Sequence, residues 1–241
     1  MTDPQIEVSA DKDGVAHAAA ERLLATLAEV LATKDEAHLG LTGGSLGSAI
    51  WAAVAASPAK DSVDWSKVRV WWGDERYLPA GDADRNDVQN DEAGLASLRL
   101  DPEKVHRVDG PDRSPDAEES AAAYAATVRE HGHGAFDVML LGVGPYGHVA
   151  SLFAGHPAQL TSDAITVAVH ESPKPPPDRV SLTFEALNRS DRVWFIVAGA
   201  DKARAVADGI AGAPAEQSSA AQVRGSTETV WFVDEAAATD L

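Results

Sequence analysis

The chain contains no cysteine, which excludes disulfide bridges, thiolate nucleophiles and zinc sites built on thiolates. It also has no uninterrupted apolar run near the roughly 20 residues that a membrane-spanning helix needs. The first segment, Met1–Val8, is acidic and lacks the apolar stretch of a secretory signal. We therefore expect a cytoplasmic protein that does not enter a membrane.

Basic residues are scarce, with 20 Lys and Arg against 38 Asp and Glu and a formal net charge of −18. Nucleic acids and anionic membranes are bound mainly through clustered Lys and Arg, so we expect neither as a partner. The same negative field would repel a phosphorylated small molecule. A protein of this charge that binds one needs a local pocket made from its few basic side chains.

Apolar periodicity alternates along the chain between the patterns of strands and helices. A length of 241 residues suits one α/β domain as well as two small ones, and we treat residues 1–241 as one. The alternation predicts an open, mainly parallel Rossmann-like α/β sheet with helices on both faces. Predicted strands cover 37–42, 67–73, 104–108, 136–143, 164–170, 179–184, 192–198 and 229–233, and predicted helices cover 11–33, 45–56, 86–97, 114–131 and 201–210.

The first glycine motif, Gly43-Gly44-Ser45-Leu46-Gly47, fits G-x-S-x-G between a predicted strand and a predicted helix. That is the context of a serine-hydrolase nucleophile elbow. Such a fold needs several strands before the elbow, whereas only one helix and one strand fit before Ser45. The alternative is a glycine turn whose backbone N–H groups, together with a helix capped by Ser45, bind an anion. The position in the chain favours the anion site.

The second glycine motif fits G-x-G-x-x-G after the strand at 136–143, at Gly142, Gly144 and Gly147. Glu171 follows the next strand, as the ribose-binding acid of a dinucleotide site would. Only about two turns of helix are predicted after the motif, at 148–153, and Pro145 and Tyr146 crowd the turn. These features disfavour a nicotinamide cofactor, and we predict no cofactor.

Several polar residues lie where predicted strands end, which is where α/β sheets bind ligands. Asp74 and Arg76 either form an ion pair that anchors a loop or serve the chemistry. His148 follows the second glycine loop at a predicted helix N-terminus, which disfavours the imidazolium and would keep the ring neutral. Lys202 begins another predicted helix, and Lys174 and Arg179 flank a proline-rich loop, where each is either a phosphate ligand or a solvated charge.

With these segments assembled, the chain resembles the 6-phosphogluconolactonase family, part of a wider glucosamine-6-phosphate deaminase-like group. Departures from the family pattern are Tyr146 in place of an acidic residue, Leu46-Gly47 in place of Thr-Pro, and Arg85 in place of Ser. The matching stretches occur in the family's order: LTGGS (41–45), WWGDERYLP (71–79), RN (85–86), FDVMLLGVGPYGHVASLF (136–153), SPKPPPDRVSLTF (172–184) and VAGADKA (197–203).

The resemblance implies a metal-free hydrolase of the pentose phosphate pathway that converts 6-phosphogluconolactone to 6-phosphogluconate, as a monomer or small homo-oligomer. It implies that His148 is the general base and that Asp74 and Arg76 line the same site. The sugar phosphate would be received by Gly43, Gly44, Ser45 and Lys202 and bordered by Lys174 and Arg179.

Two alternatives remain open at this point. One is an aldose–ketose isomerase or deaminase on the same fold, with Asp74 as its carboxylate base. Tyr146 removes an acid that such a reaction needs for ring opening, which weakens this alternative. The other is a non-catalytic sugar-phosphate sensor, which would keep Lys202 and the glycine turn but would not need His148.

Overall fold

The computed structural model of the protein describes residues 3–241, so the first two residues of the segment tested for a secretory signal lie outside it. The helices are α1 (Lys12–Leu31), α2 (Gly44–Ala56), α3 (Asn86–Ala93), α4 (Ala117–His131), α5 (Phe184–Leu187) and α6 (Ala203–Ile210). The strands are β1 (Gln5–Ser9), β2 (Ala37–Leu41), β3 (Val68–Trp72), β4 (Asp74–Arg76), β5 (Phe136–Gly142), β6 (Thr166–Val169), β7 (Arg179–Leu182), β8 (Ser190–Val197) and β9 (Glu228–Asp234).

Six strands form one sheet in the order β1-β9-β8-β5-β2-β3, and every neighbouring pair is parallel. The chain moves outward from β2 to β3 on one side, then crosses to β5 on the other side of β2. Such a reversal opens a crevice at the carboxyl ends of the strands, where open α/β sheets bind their ligands.

Side chains alternate between the two faces of this sheet, as the pleat of a strand requires. Trp194 and Ile196 pack on the face covered by α1 and α2, whereas Val193, Phe195 and Val197 pack on the opposite face with residues of α4 and α6. Burying both faces of a parallel sheet needs helices on both sides. The predicted fold class, a mainly parallel α/β sheet between helical layers, is confirmed.

A second, antiparallel sheet of three strands in the order β4-β7-β6 adjoins the carboxyl end of β3. Gly73 joins the two sheets, because it follows β3 and its carbonyl accepts a hydrogen bond of 2.8 Å from the Leu182 backbone N–H. The strands predicted at 164–170 and 179–184 correspond to β6 and β7. β4 is not predicted, because its three residues are too few to show a hydrophobic alternation. This small sheet is called the side sheet below.

Two predictions from the sequence are wrong, and one further strand was not predicted. Residues 104–108 do not form a strand, although a bridge of Val105 to Val70 joins them to β3. Residues 148–153 form turns rather than a helix. β1 went unpredicted because it is a half-exposed edge strand. Along the described part of the chain, no helix combines the length and the apolar character that crossing a membrane requires.

Candidate active site

A cavity of about 290 Å³ opens at the carboxyl ends of β2, β3, β5 and β8. Strands that are distant in sequence meet there because the sheet is parallel, so loops at 42–47, 142–148 and 197–202 share its wall with β4 and β7. We call this cavity the cleft. All nine residues singled out from the sequence line it: Gly43, Gly44, Ser45, Asp74, Arg76, His148, Lys174, Arg179 and Lys202.

The His148 ring lies directly against the backbone of Gly144. A Cβ atom on Gly144 would stand only 1.7 Å from Cε1 of the imidazole, so no other residue fits at 144 with the ring in place. The loop closes with a hydrogen bond of 2.9 Å from the Gly144 backbone N–H to the His148 carbonyl. Phe153 packs on the ring at a centroid distance of 4.6 Å. These contacts fix where the imidazole points.

Burial and, to a smaller extent, the nearby charges of Lys174, Lys202 and Arg179 together lower the pKa of His148 to about 3. The ring is therefore neutral at pH 7, as predicted. The predicted cause is wrong, however, because no helix begins at His148. Nδ1 is buried and finds no hydrogen-bond partner within residues 3–241, so no group in that range stabilises a proton there.

Asp74 is only 7 % exposed and is held from several sides. Its carboxylate accepts a hydrogen bond of 2.6 Å from the Ser151 hydroxyl and a longer one, 3.5 Å, from the Asn86 side-chain amide. A guanidinium nitrogen of Arg179 lies 3.9 Å away. Asp74 therefore stays in one place at the floor of the cleft, between the loop that carries His148 and the side sheet.

Glu75 points away from the cleft and accepts hydrogen bonds from the backbone N–H groups of Arg76, Asn86 and Asp87. Burial and the carboxylate of Asp87 raise its pKa to about 7. Glu75 thus fastens the start of α3 to β4. Arg76 donates a hydrogen bond of 2.5 Å to the Asp84 carbonyl, while its Nε is buried and finds no partner among the described residues.

The glycine turn after β2 presents backbone rather than side chains. Gly43 caps α2, so the predicted cap at Ser45 is wrong; Ser45 lies one residue inside the helix and is exposed. Gly44 has a φ of +79° and is open to solvent on its Cα side. A Cβ on Gly43 would overlap the Asn86 Oδ1, at 1.7 Å. The exposed N-terminus of α2 suits an anion.

On the opposite wall of the cleft, the position of Lys174 depends on hydrogen bonds made by Arg179. The Arg179 guanidinium donates hydrogen bonds to three carbonyls of the proline loop, those of Lys174, Pro175 and Pro176, at 3.0–3.2 Å. This holds Lys174 at the mouth of the cleft. Burial and the charges of Lys202 and Arg179 lower the pKa of Lys174. A carboxylate lies near each of the other two cations, since Asp201 is 3.3 Å from Lys202 and Asp74 is 3.9 Å from Arg179.

Two polar residues of the cleft region received no role from the sequence. Asn86 donates hydrogen bonds to Asp74, yet its Oδ1 is buried and has no partner in the described range. Ser151 holds the Asp74 carboxylate. Both lie within the stretches that carried the resemblance, but their contacts join residues 12 and 77 positions apart, which no local pattern reveals.

The cleft is a poor fit for a dinucleotide. The glycine loop at 142–147 leads into turns, so it lacks the helix N-terminus on which a pyrophosphate rests in such folds. What the cleft offers instead is one neutral imidazole, a fixed carboxylate and a group of cations beside exposed backbone N–H groups. This arrangement suits activation of water next to an anionic substrate.

Comparison with known proteins agrees with this chemistry. The family model for glucosamine-6-phosphate isomerases/6-phosphogluconolactonase matches residues 10–231. A 6-phosphogluconolactonase of Streptomyces coelicolor is 48% identical, with 99% of this chain and 95% of that protein covered. One from Mycobacterium tuberculosis is 41% identical, with 98% of each covered. The crystal structure of a 6-phosphogluconolactonase from Thermotoga maritima superposes with a TM-score of 0.83 at 27% identity, covering 96% of this chain and all of the other. The chain belongs to the glucosamine-6-phosphate isomerase/6-phosphogluconolactonase family.

Proposed function

We propose that this protein hydrolyses 6-phospho-D-glucono-1,5-lactone to 6-phosphogluconate in the pentose phosphate pathway. The observation that carries the proposal is the joint placement of a neutral imidazole and the cations Lys174, Arg179 and Lys202 in one cleft. The relatives at 41–48% identity bear the name of this activity. An acidic protein with one cationic cavity selects an anionic small molecule, and we place it in the cytoplasm as a monomer or small homo-oligomer.

In the mechanism we assign, the imidazole of His148 takes a proton from water as the water oxygen attacks the lactone carbonyl carbon. The tetrahedral intermediate carries a negative oxygen, for which Arg76 or backbone N–H groups of the glycine loops are the donors. The bond from the carbonyl carbon to the ring oxygen then breaks, and the imidazolium returns its proton to that oxygen. A general base supplies about 10²–10⁴-fold and oxyanion donors about 10²–10³-fold.

The phosphate is a binding group that is not transferred. We assign it to Lys202, Lys174 and the turn of Gly43, Gly44 and Ser45, with Arg179 holding the loop of Lys174 in place. Asp74, fixed by Ser151 and Asn86, is suited to accept a hydrogen bond from a sugar hydroxyl. A bound dianion would also offset the cations that, together with burial, keep His148 neutral, so substrate binding would raise the basicity of the catalytic group.

The test of the function is hydrolysis of freshly generated 6-phosphogluconolactone, followed as proton release in the presence of EDTA. We expect rapid turnover that the chelator does not change. Binding of 6-phosphogluconate without turnover of the lactone would favour the sensor, and release of ammonia from glucosamine 6-phosphate would favour the deaminase. The relatives' names do not favour either alternative.

We expect His148 to remain neutral throughout pH 5.5–8 in the free protein, because burial and three cations lower its pKa. Adding 6-phosphogluconate should raise that pKa, since its phosphate favours the imidazolium. NMR of the imidazole ¹⁵N signals checks both points, with His148→Gln to assign them. His170 is an internal control, because Glu118 and Asp178 raise its pKa and its protonation step must appear above the usual pH. A His148 step near pH 6.5 without ligand would contradict the expectation.

We expect Lys202→Gln to raise KM by about 10- to 150-fold with a smaller effect on kcat. A hydrogen bond to a charged group contributes about 1.5–3 kcal/mol, and each 1.4 kcal/mol is tenfold in affinity. Lys67→Gln is the matched control, because Lys67 lies just before β3, at the amino ends of the strands and away from the cleft. Steady-state kinetics of both variants decide the matter, and an unchanged KM in Lys202→Gln would remove Lys202 from the phosphate site.

A further inference from the structure

A second cluster of titratable side chains lies at the amino-terminal edge of the parallel sheet, opposite the cleft. Glu36 precedes β2, His38 is the second residue of β2, and His133 lies in the loop between α4 and β5. One potential ligand atom from each of the three lies within 4.8 Å of the other two. The lactonase mechanism uses none of them.

The geometry converges on one carboxylate oxygen. Oε1 of Glu36 is 3.6 Å from Nε2 of His38 and 3.4 Å from Nε2 of His133. A tetrahedral zinc site with bonds of about 2.0–2.1 Å separates its ligand atoms by about 3.4 Å. The two measured separations already match that spacing.

The surroundings hold the Glu36 carboxylate as the second shell of a metal site does, whereas the His38 ring is held by packing. The other oxygen of Glu36, Oε2, is held by Arg69 at 3.1 Å and by Lys104 at 3.4 Å, which leaves Oε1 for a cation. His38 is 94% buried, and its Nδ1 finds no hydrogen-bond partner within the part of the chain that the structure describes. Its ring lies parallel to that of Trp71, with centroids 6.3 Å apart.

The three residues line a cavity of about 400 Å³ that opens to solvent, so water can complete the coordination. Four carboxylates border this cavity, those of Asp35, Glu36, Asp137 and Asp191, against one lysine, Lys34. The local charge therefore attracts a cation despite the two basic groups behind Glu36. Imidazole and carboxylate together suit zinc and related transition metals, whereas calcium and magnesium prefer oxygen alone.

We propose that Glu36, His38 and His133 form a binding site for one divalent transition-metal ion of the zinc class. The ion would join the loop between α4 and β5 to the start of β2, two segments about 95 residues apart in the chain. Because the site lies at the far edge of the sheet from His148, it stabilises the fold and takes no part in lactone hydrolysis.

The test is titration of untagged, chelator-treated protein with Zn²⁺, followed by calorimetry and by thermal unfolding. We expect one Zn²⁺ per chain and a rise in Tm of about 5–10 °C at 100 times the Kd. Replacing Zn²⁺ with Co²⁺ should give the visible absorption of a tetrahedral nitrogen- and oxygen-ligated ion. Lactonase activity in EDTA should be unchanged, so this test and the test of the function fail independently.

Variants locate the ion. His133→Ala removes a largely exposed ligand without opening the core, and we expect it and Glu36→Gln each to weaken Zn²⁺ binding at least tenfold. His131→Ala is the matched control, since it removes a neighbouring imidazole that lies outside the cluster, and it should bind Zn²⁺ as the wild type does. Equal binding by wild type and His133→Ala would overturn the proposal. Loss of Zn²⁺ binding in His148→Ala but in none of the other variants would also overturn the proposal, because the ion would then lie in the cleft.

Discussion

Replacing His148 with alanine should lower kcat for 6-phosphogluconolactone by about 10²-fold or more, with KM changed much less. General-base catalysis contributes about 10²–10⁴-fold, and we assign that role to the neutral imidazole, which the cleft walls fix in place. The phosphate would still bind, because Lys174 and Lys202 remain. Proton release measured over the first seconds, with fresh lactone and a correction for its spontaneous hydrolysis, gives both constants.

His17→Ala is the control for this variant, since His17 is an exposed residue of α1 on the outer layer of the fold. It should retain wild-type kinetics. If His148→Ala is fully active while folded, the lactonase assignment stands but the base is another group. A rise in KM together with the fall in kcat would indicate that the imidazole also binds the substrate.

The second large effect is expected from Gly144→Ala, a substitution that removes no charged or titratable side chain. The new methyl would lie 1.7 Å from Cε1 and 2.1 Å from Nδ1 of His148, so the ring must leave its position. A displacement of about 1 Å in a catalytic group can cost about 10²-fold in rate. We therefore expect kcat to fall about 10²-fold with the imidazole still present, and crystallography of the variant would show the rotated ring.

Gly73→Ala is the matched control at the end of β3, beside the same cleft. Its added methyl would meet no atom closer than 3.5 Å, so it should retain near wild-type kcat. If Gly144→Ala proves as active as Gly73→Ala, the position of the ring matters less than we infer. Thermal unfolding of both variants separates a displaced ring from a destabilised fold.

The sequence was sufficient for the inner strands of the parallel sheet because they are apolar runs. Phe136–Gly142, for example, is buried at six of its seven residues, and α1 begins at Lys12 after a cap by Asp11, near where periodicity placed it. The side sheet was harder to predict. β4 consists of Asp74, Glu75 and Arg76, and charged residues do not suggest a strand until β7 is known to lie beside them.

The cleft could be predicted as a set of residues but not as a set of contacts. Motifs at strand ends identified His148 and Lys202, because parallel strands gather their carboxyl ends at one edge. The cause of the neutral imidazole was missed, since it depends on burial and on cations from loops that are distant in sequence. The hydrogen bonds from Asn86 and Ser151 to the Asp74 carboxylate likewise could be seen only in the structure.

The two walls of the cleft lie on different sheets. The wall of the parallel sheet carries the glycine turn, the His148 loop and Lys202, which follow strands buried on both faces. Asp74, Arg76 and Arg179 lie instead on β4 and β7, outside the parallel sheet. Substitution of Asp74 or Arg76 in β4 can thus change the part of the cleft that we assign to the sugar, while Lys174, Lys202 and the glycine turn, which we assign to the phosphate, persist. One scaffold can in this way diversify toward other phosphorylated sugars without being rebuilt.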